Sequence, residues 1–400
     1  MPIALLALTL SAFAIGTTEF VIVGLLPTVA ADLAIGLPSA GLLVSLYALG
    51  VAVGAPVLTA LTGKLPRKAL LLGLMALFTA GNLLAWQAPG YGSLVAARIL
   101  TGLAHGVFFS IGSTIATGLV PREKAASAIA IMFTGLTVAL VTGVPLGTFI
   151  GQHFGWRETF LAVSLLGVLA FIGSAVFVPR HVAHRAPASL LQQARVLAEP
   201  RLLLVFAKTA IGYGGTFIPF TFLAPLLTEV SGFSAGAVGW VMLVYGVSVA
   251  VGNIWGGRLA DRRGPIAALK TIFALLAAVL LLLQFTAPYP WLALATVLLW
   301  GAVAFGNVPG LQVYVVKQAE RFAPQAVDVA SGLNIAAFNL GIAGAAWAGG
   351  LIVAHLGLRH TPWIGAVVVL VALALTHCNG RLDRRSARAA HSRAPVPAGR

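Results

Sequence analysis

The chain has 400 residues, of which 59% are hydrophobic and only 9% are charged, and its formal net charge is +15. A water-soluble domain of this length does not carry so much apolar side chain, so the composition excludes one and predicts that lipid surrounds most of the chain. The basic residues lie in short segments between apolar stretches and near the C-terminus, not on one contiguous face, so we expect no nucleic-acid partner.

The composition also speaks against enzyme chemistry. The single cysteine, Cys378, excludes intramolecular disulfides and cysteine-rich metal clusters, and none of the eight histidines has the spacing of metal ligands. The sequence contains no nucleotide-binding glycine loop, nucleophile elbow or zinc motif. We therefore predict a protein that is not an enzyme, with no cofactor and no metal site.

Apolar stretches divide the chain into twelve segments, each near or above the ~20 residues that a helix needs to cross a bilayer. Proline, glycine or charged residues separate them. The pattern predicts an all-α membrane protein with spans at 4–30, 39–62, 69–88, 93–119, 126–151, 158–178, 202–228, 235–257, 266–286, 290–316, 326–354 and 362–378.

The first span resembles a signal peptide in one respect, because Thr28-Val29-Ala30-Ala31 is similar to a signal-peptidase site. Three features speak against cleavage. No basic region precedes the apolar run, the run is too long, and Glu19 interrupts it. We expect the segment to be retained as the first membrane helix.

The two halves of the sequence repeat each other. A shift of 198 positions overlays the first two spans of each half without a gap, so that Gly41 meets Gly239 and Tyr47 meets Tyr245. A duplicated membrane domain is typical of a carrier whose halves rock around a site between them.

This repeat predicts four regions. Residues 1–178 form an N-terminal six-helix bundle, and residues 202–378 form a C-terminal one. The polar interval 179–201 between them is predicted to be a cytoplasmic linker, and residues 379–400 a disordered, basic cytoplasmic tail.

The basic residues predict the orientation. With the N-terminus inside, all Lys and Arg residues lie in or beside cytoplasmic loops, the linker or the tail, except Arg98, Arg157, Lys208 and Arg359. The reverse orientation would place this excess outside, against the positive-inside rule. We therefore expect a multi-pass protein of the cell inner membrane with both termini in the cytoplasm.

Glu19, Arg98 and Lys208 are the charged side chains well inside spans. A charge at the bilayer centre costs roughly 2.5–3.5 kcal/mol on insertion scales, so such residues are expected to serve a function. Inside the membrane, the Glu19 carboxyl group can lower its energy either by taking up a proton or by facing a cation. If it alternates between the protonated and the ionised form, it carries protons across the membrane. The alternative is a permanently protonated or ion-paired glutamate that fixes helix packing.

Arg98 and His105 are seven residues apart and therefore share one face of the fourth span. Arginine keeps its proton, so Arg98 is expected either to tune the pKa of a carboxylate or to bind an anionic or hydroxyl-bearing ligand. The alternative is an ion pair near the membrane boundary. An unperturbed histidine titrates near neutrality, so His105 is a candidate for proton transfer, and the alternative is a buried histidine with satisfied hydrogen bonds. Lys208 is expected to snorkel to the nearby interface.

Five motifs occur in a fixed order along the chain, and they carry a resemblance. They are Gly16-Thr17-Thr18-Glu19-Phe20 in span 1, Ala97-Arg98-Ile99-Leu100-Thr101-Gly102 with His105-Gly106 in span 4, Gly143-Val144-Pro145-Leu146-Gly147 in span 5, Gly257-Arg258-Leu259-Ala260-Asp261-Arg262-Arg263-Gly264 between spans 8 and 9, and Asn334-Ile335-Ala336-Ala337-Phe338-Asn339-Leu340-Gly341 in span 11. With them the chain resembles the major facilitator superfamily (MFS). It is most similar to the twelve-span drug:H+ antiporters, in their arabinose and sugar efflux permease-like branch.

The resemblance implies roles for three sets of residues. They are proton coupling by Glu19, Arg98 and His105, sealing of the pathway by the antiporter-motif residues Gly143, Pro145 and Gly147, and a cytoplasmic gate at Gly257, Asp261, Arg262 and Gly264. The chain departs from the family at Gly63, which replaces the acid of the corresponding first-half loop, and at Thr148, where a second glycine is common.

The cavity between the halves is predicted to be lined by aromatic and amide side chains, namely Phe20, Tyr47, Phe109, Asn334, Phe338 and Asn339. The alternative for the asparagines is an inter-helix hydrogen bond. We expect a monomeric, proton-driven exporter of a small molecule such as a sugar or drug, working by alternating access. Its partners are then substrate, protons and the bilayer. The alternatives are a facilitator or proton symporter for uptake, and a non-transporting membrane sensor or scaffold.

Overall fold

The structure is a computed structural model that describes residues 3–121, 124–180 and 189–392, in which all regular elements are helical. Twelve helices are long and apolar enough to cross a membrane, and each predicted span corresponds to one of them. They are α1 (Ile3–Asp32), α2 (Leu37–Leu61), α3 (Arg67–Trp86), α4 (Tyr91–Gly118), α5 (Ser127–His153), α6 (Trp156–Phe177), α7 (Pro200–Thr221), α8 (Ala235–Arg263), α9 (Pro265–Thr286), α10 (Pro290–Phe322), α11 (Pro324–His355) and α12 (Thr361–Ser392).

Helices α1–α6 and α7–α12 form two pseudo-symmetric six-helix bundles. Glycines make the repeat visible in the packing, because close helix approach in lipid needs small residues. Gly102 brings α4 against the Tyr47 carbonyl of α2, and Gly301 brings α10 against the Tyr245 carbonyl of α8. The predicted fold class is confirmed.

A short linker helix, Leu190–Leu197, lies between the bundles in sequence and marks one side of the membrane, which we call the linker face; the opposite side is the far face. Ser189 caps this helix by accepting a hydrogen bond from the Gln192 N–H. The Gln193 amide donates to the Pro56 carbonyl oxygen at 3.1 Å, so the linker contacts α2. Arg185, assigned to the linker from sequence, lies outside the described residues.

The bundles meet along a seam that is tightest toward the far face. The Ser45 hydroxyl donates to the Ala343 carbonyl oxygen at 2.7 Å, and Gly246 of α8 packs against the Leu140 carbonyl of α5. Toward the linker face, α8 stays packed on α10 of its own bundle, where Gly252 lies against Ala302, and it no longer packs on the described part of α5. We interpret the structure as a state closed on the far face.

In the described part of the chain, three wide, π-helical turns interrupt or extend the spans. One, Gly54–Leu58, lies in α2, and another, Leu226–Val230, follows α7. The third, Ala139–Gly143, leads directly into Pro145, which has no backbone N–H to donate. Such turns are frequent at functional sites, and this one coincides with the antiporter motif.

The predicted disordered tail is wrong for residues 379–392, because α12 continues as a helix to Ser392. The Asp383 carboxylate accepts hydrogen bonds from the Tyr314 hydroxyl at 2.9 Å and from the Gln318 amide at 3.3 Å. These contacts hold the end of α12 on α10, and the Ala- and Arg-rich sequence that follows favours helix. Residues 393–400 lie outside the described part of the chain.

Candidate functional site

Glu19 is placed by the close contact of α1 with α5. Gly143 packs on Thr17 and Gly147 on Val21, and a side chain at either glycine would overlap or crowd its neighbour on α1. Thr17 and Val21 are one turn apart and face α5, so Glu19, two residues from each, points to the other side of α1. The motif glycines thereby fix the direction of the carboxyl group.

The carboxyl group of Glu19 faces His105 across a short gap. The Glu19 Oε2 atom lies 4.0 Å from His105 Nδ1, which is too long for a hydrogen bond. The Tyr47 hydroxyl is 2.9 Å from the same nitrogen, and all three side chains are buried. Tyr47 and Glu19 therefore compete for one ring nitrogen of His105, and a movement of about 1 Å would let Glu19 replace Tyr47 as its hydrogen-bond partner. We call Tyr47, His105 and Glu19 the proton group.

Arg98 binds backbone rather than the Glu19 carboxylate. Its guanidinium donates to the carbonyl oxygens of Thr18 at 2.7 Å, Leu43 at 3.3 Å and Glu19 at 3.4 Å. Its Cζ atom also lies 4.1 Å from the centre of the Tyr47 ring. Arg98 thus ties α4 to α1 and α2 and places a positive charge beside the proton group.

We predict that Arg98→Met destabilises the protein by on the order of 3 kcal/mol, because three buried carbonyl groups lose a charged donor. The thermal unfolding temperature in detergent, measured by tryptophan fluorescence, should fall clearly. Lys64→Met is the control, since Lys64 is exposed. An Arg98→Met protein as stable as this control would contradict the assigned role.

Opposite Glu19 lies an aromatic cluster that belongs mainly to the C-terminal bundle. The Phe20 ring is 6.3–6.5 Å from three rings of this cluster, and the Tyr213 ring lies 4.9 Å from both Phe217 and Phe338. We define the aromatic cluster as Phe20, Tyr213, Phe217, Phe220, Phe305 and Phe338. It spans both bundles, so it must rearrange whenever they move apart.

The repeat places unlike chemistry at equivalent positions of the two bundles. Under the 198-residue shift, Phe217 takes the place of Glu19, while Thr216 takes the place of Thr18. Thr18 donates to Asn82 at 2.7 Å, and Thr216 accepts from the Trp300 indole N–H at 2.7 Å. At equivalent positions, the N-terminal bundle therefore carries a carboxyl group and the C-terminal bundle carries an aromatic ring.

The remaining predicted cavity residues are placed differently. The Phe109 ring lies 5.0 Å from the rings of His105 and Phe133, within the N-terminal bundle. The Asn334 amide is used between helices, accepting from Thr209 at 2.7 Å and donating to Gln312 at 2.9 Å. The structure therefore brings Phe20, Tyr47 and Phe338 toward one site and leaves Asn334 outside it.

Asn339 has unused hydrogen-bonding capacity. Its amide nitrogen donates to the Ile335 carbonyl oxygen at 3.1 Å, while its buried Oδ1 atom has no partner among the described residues. It follows Phe338 of the aromatic cluster directly. Asn339 thus has an acceptor available for a ligand at this site.

The predicted gate lies at the linker face between α8 and α9. Gly264 has a φ angle of 77°, a conformation that glycine adopts without strain, and it turns the chain after Arg263. Gly257 and Arg262 precede it on α8. Asp261 is exposed and has no hydrogen bond or ion pair with any described residue.

The prediction that Lys208 snorkels to the interface is wrong. Its side chain is 0% exposed, and its Nζ atom lies 3.6 Å from the centre of the Tyr314 ring. The ammonium group has no hydrogen-bond partner within the described ranges. Sequence position alone places Lys208 near the boundary, but the packing of α10 and α12 against α7 encloses it.

Sequence reasoning missed most of the aromatic cluster. Tyr213, Phe217 and Phe220 are spaced by four and three residues, which places them on one face of α7. This spacing, together with the alignment of Phe217 on Glu19, was the available signal. Phe305 lies at a break in α10 and carries no such pattern.

Comparison with known proteins identifies the family. The family model described as Major Facilitator Superfamily matches residues 8–323. The chain belongs to the Major Facilitator Superfamily. It is 55% identical to the uncharacterized MFS-type transporter YtbD of Bacillus subtilis, with 96% of each chain covered. It is also 41% identical to the inner membrane transport protein YdhP of Escherichia coli, covering 94% of this chain and 96% of YdhP.

A chloramphenicol resistance protein of Streptomyces lividans is 35% identical, with 93% of this chain and 95% of that protein covered. Among solved structures, a bacterial homolog of the human lysosomal transporter Spinster has a TM-score of 0.76 at 18% identity, covering 94% of this MFS chain and 96% of the homolog. The sequence resemblance to the superfamily is confirmed, and the chain is an MFS transporter in a membrane.

Proposed function

We propose that this transporter is a proton-coupled antiporter that exports a small molecule, such as a sugar or drug, across the inner membrane by alternating access. The observation that carries the proposal is the position of Glu19. Its carboxyl group lies 4.0 Å from His105 on one side, and the next residue, Phe20, belongs to the aromatic cluster. Proton binding and substrate binding would therefore share one helix segment.

The positive-inside distribution supports the linker face as the cytoplasmic face. In the proposed cycle, substrate enters from this face while the far-face seam is closed. Glu19 releases its proton to the cytoplasm, and substrate binds beside the aromatic cluster. The bundles then rock, substrate leaves to the outside, and Glu19 is protonated from there. The substrate-free transporter then returns to the state that is open to the cytoplasm. This return is easier with a neutral Glu19, because burying a charge in the closed site is costly.

The roles of the neighbouring residues follow from their contacts. His105, bonded to Tyr47, is the exchange partner for the Glu19 proton. Arg98 keeps the carbonyls of Thr18 and Glu19 turned toward α4 and so holds the carboxyl group in place. Gly143, Pro145 and Gly147 form the seal on the far side, where Gly239 approaches the Pro145 carbonyl oxygen.

One titrating carboxyl group supplies enough energy. A pH difference of one unit provides ~1.4 kcal/mol per proton, and a potential of 100 mV adds ~2.3 kcal/mol per charge. Together they support a gradient of about two to three decades for a neutral substrate exchanged for one proton. A second membrane acid is therefore not required.

Chloramphenicol is the first compound to test, because the Streptomyces lividans relative is a chloramphenicol resistance protein. The aromatic cluster supports a substrate with an apolar ring, since aromatic pairs prefer offset or edge-to-face contacts at 4.5–7 Å. The buried, unpaired acceptor of Asn339 and the hydroxyl of Tyr213 would supply the polar contacts.

Gradient reversal distinguishes export from the second candidate function, which is a facilitator or proton symporter for uptake. We predict that radiolabelled chloramphenicol accumulates in proteoliposomes with an acidic interior, opposite to proton flow, and is expelled when the gradient is reversed. Movement in the same direction as protons would instead establish symport. Chloramphenicol movement whose direction and extent do not depend on the proton gradient would establish a facilitator.

A non-transporting sensor or scaffold, the third alternative, is disfavoured by membership of a transporter family across most of the chain. Flux equal to that of empty liposomes for chloramphenicol and a panel of sugars would restore it.

A further inference from the structure

A cavity of about 440 Å³ lies at the linker face of the C-terminal bundle, away from the proton group. It is bordered by the turn between α8 and α9, by α10 and by the end of α12. Its walls are mostly apolar, but three cations surround it, namely Arg263, Lys270 and Lys317. Asp383 is the one carboxylate among the lining residues.

The three cations lack anionic partners in the described part of the chain, since none of them forms a salt bridge there. Asp383 does not neutralise them, because it is occupied by Tyr314, Gln318 and Arg201, whose Nη1 atom lies 4.0 Å from it. The cavity thus has an apolar interior and an uncompensated positive rim, which matches a ligand with an anionic head and a hydrocarbon body.

A fourth cation adds to this field from inside the bundle. The Lys208 ammonium lies on the ring of Tyr314, and Tyr314 itself lines the cavity. The ammonium is completely buried and has no hydrogen-bond partner among the described residues. Burying a cation this way is unfavourable. Asp383, which accepts the Tyr314 hydrogen bond, offsets part of that cost, and a second anion bound in the cavity would offset more.

Glycine keeps the cavity open on the α12 side. A Cβ atom at Gly380 would lie 3.0 Å from Ile266 Cγ2 and 3.8 Å from Lys270 Nζ, so a larger side chain would fill the space between them. The membrane helices next to the cavity expose Leu275 of α9 and Val371 of α12, at 42% and 47%. The apolar cavity therefore lies on the same two helices as a surface that faces the hydrocarbon of the bilayer.

We propose that this cavity binds an anionic phospholipid, with the phosphate between Arg263, Lys270 and Lys317 and an acyl chain along α9 and α12. The site is separate from the proton group and does not depend on the proposed transport function. The cavity joins α12 to the α8–α9 turn, which follows Asp261 by three residues, so bound lipid would stabilise the gate region.

Native mass spectrometry of the full chain in detergent tests the proposal. The probes are phosphatidylglycerol and phosphatidylcholine with identical acyl chains. Each basic residue near an anionic headgroup contributes about fivefold in affinity. We therefore expect the double variant Lys270→Gln/Lys317→Gln to bind phosphatidylglycerol about 25-fold more weakly. Its phosphatidylcholine binding should fall much less, because the choline cation cancels the charge of the phosphate.

The matched control is Lys64→Gln/Lys124→Gln, which removes two exposed charges by the linker face outside the cavity and should leave the preference intact. Gly380→Leu, which keeps every charge, should remove phosphatidylglycerol binding by filling the cavity, and it decides the matter if the double variant does not fold. Equal binding of both lipids, or an equal loss in the control, overturns the proposal. Displacement of phosphatidylglycerol by millimolar inorganic phosphate would assign the site to free phosphate and also overturns it.

Discussion

Glu19→Gln is expected to abolish uphill transport while leaving the protein folded. Glutamine has nearly the same shape as a protonated glutamate but cannot release a proton, so the imposed gradient has no group to act on. With a pH difference of one unit, each coupled proton supports about a tenfold substrate gradient, and this ratio should fall to one in the variant. The measurement is accumulation of radiolabelled substrate in proteoliposomes.

Glu320→Gln is the matched control, because Glu320 is exposed near the linker-face end of α10. It removes the same charge and should transport normally. A Glu19→Gln protein that still concentrates substrate would show that coupling resides elsewhere. Substrate exchange without a gradient is expected to persist in Glu19→Gln, which separates lost coupling from lost binding.

Gly246→Val is expected to shift the transporter away from the state described here. A side chain at Gly246 would overlap with the Leu140 carbonyl oxygen of α5, so the far-face seam cannot close. Because alternating access needs both states, transport should fall by at least an order of magnitude, roughly the effect of 1.4 kcal/mol on a two-state equilibrium. Distances between spin labels on the far-face ends of α5 and α8 measure the opening.

The control for this prediction lies ten residues earlier on the same helix. Apart from its own stretch of α8, no part of the described structure lies within 4 Å of a Cβ placed at Gly236, so Gly236→Val makes the same substitution in α8 without touching the seam. Its label distances should match those of the unmodified protein. If Gly246→Val keeps the far face closed and transports normally, the seam is not the element that alternates.

The spans and the repeat were predictable from sequence because both depend on local or periodic signals. A bilayer requires about 20 apolar residues in each helix, and duplication leaves Gly41 aligned with Gly239 and Tyr47 with Tyr245. Helix ends were less predictable. The extension of α12 to Ser392 depends on contacts of Asp383 with α10, which are distant in sequence.

The charged members of the site were predictable for a different reason. A charge within an apolar span is conspicuous, so Glu19 and Arg98 stood out. Their partners were not predictable, because Arg98 binds the carbonyls of Thr18, Glu19 and Leu43 rather than a carboxylate. Every residue has a backbone carbonyl group, so the sequence does not show which of them accepts a hydrogen bond.

The aromatic cluster and the environment of Lys208 could not be predicted from the sequence, because neither stands out in an apolar span. Aromatic residues are common in membrane helices, so Phe305 cannot be distinguished from a lipid-facing residue without the packing. Lys208 appeared close to the interface by position, yet α10 and α12 enclose it and Tyr314 lies over its ammonium group. Such features depend on which helices are neighbours.

The most direct test of the central claim is the protonation of Glu19 itself. Infrared difference spectra of the purified protein between mildly acidic and mildly alkaline buffer should contain a carboxylic-acid C=O band that is lost as the pH rises and is absent from Glu19→Gln. Substrate binding should shift the pH at which this band disappears, since proton and substrate bind to adjacent residues of α1. A Glu19 carboxyl group that stays in one ionisation state throughout would contradict proton-driven export by this site.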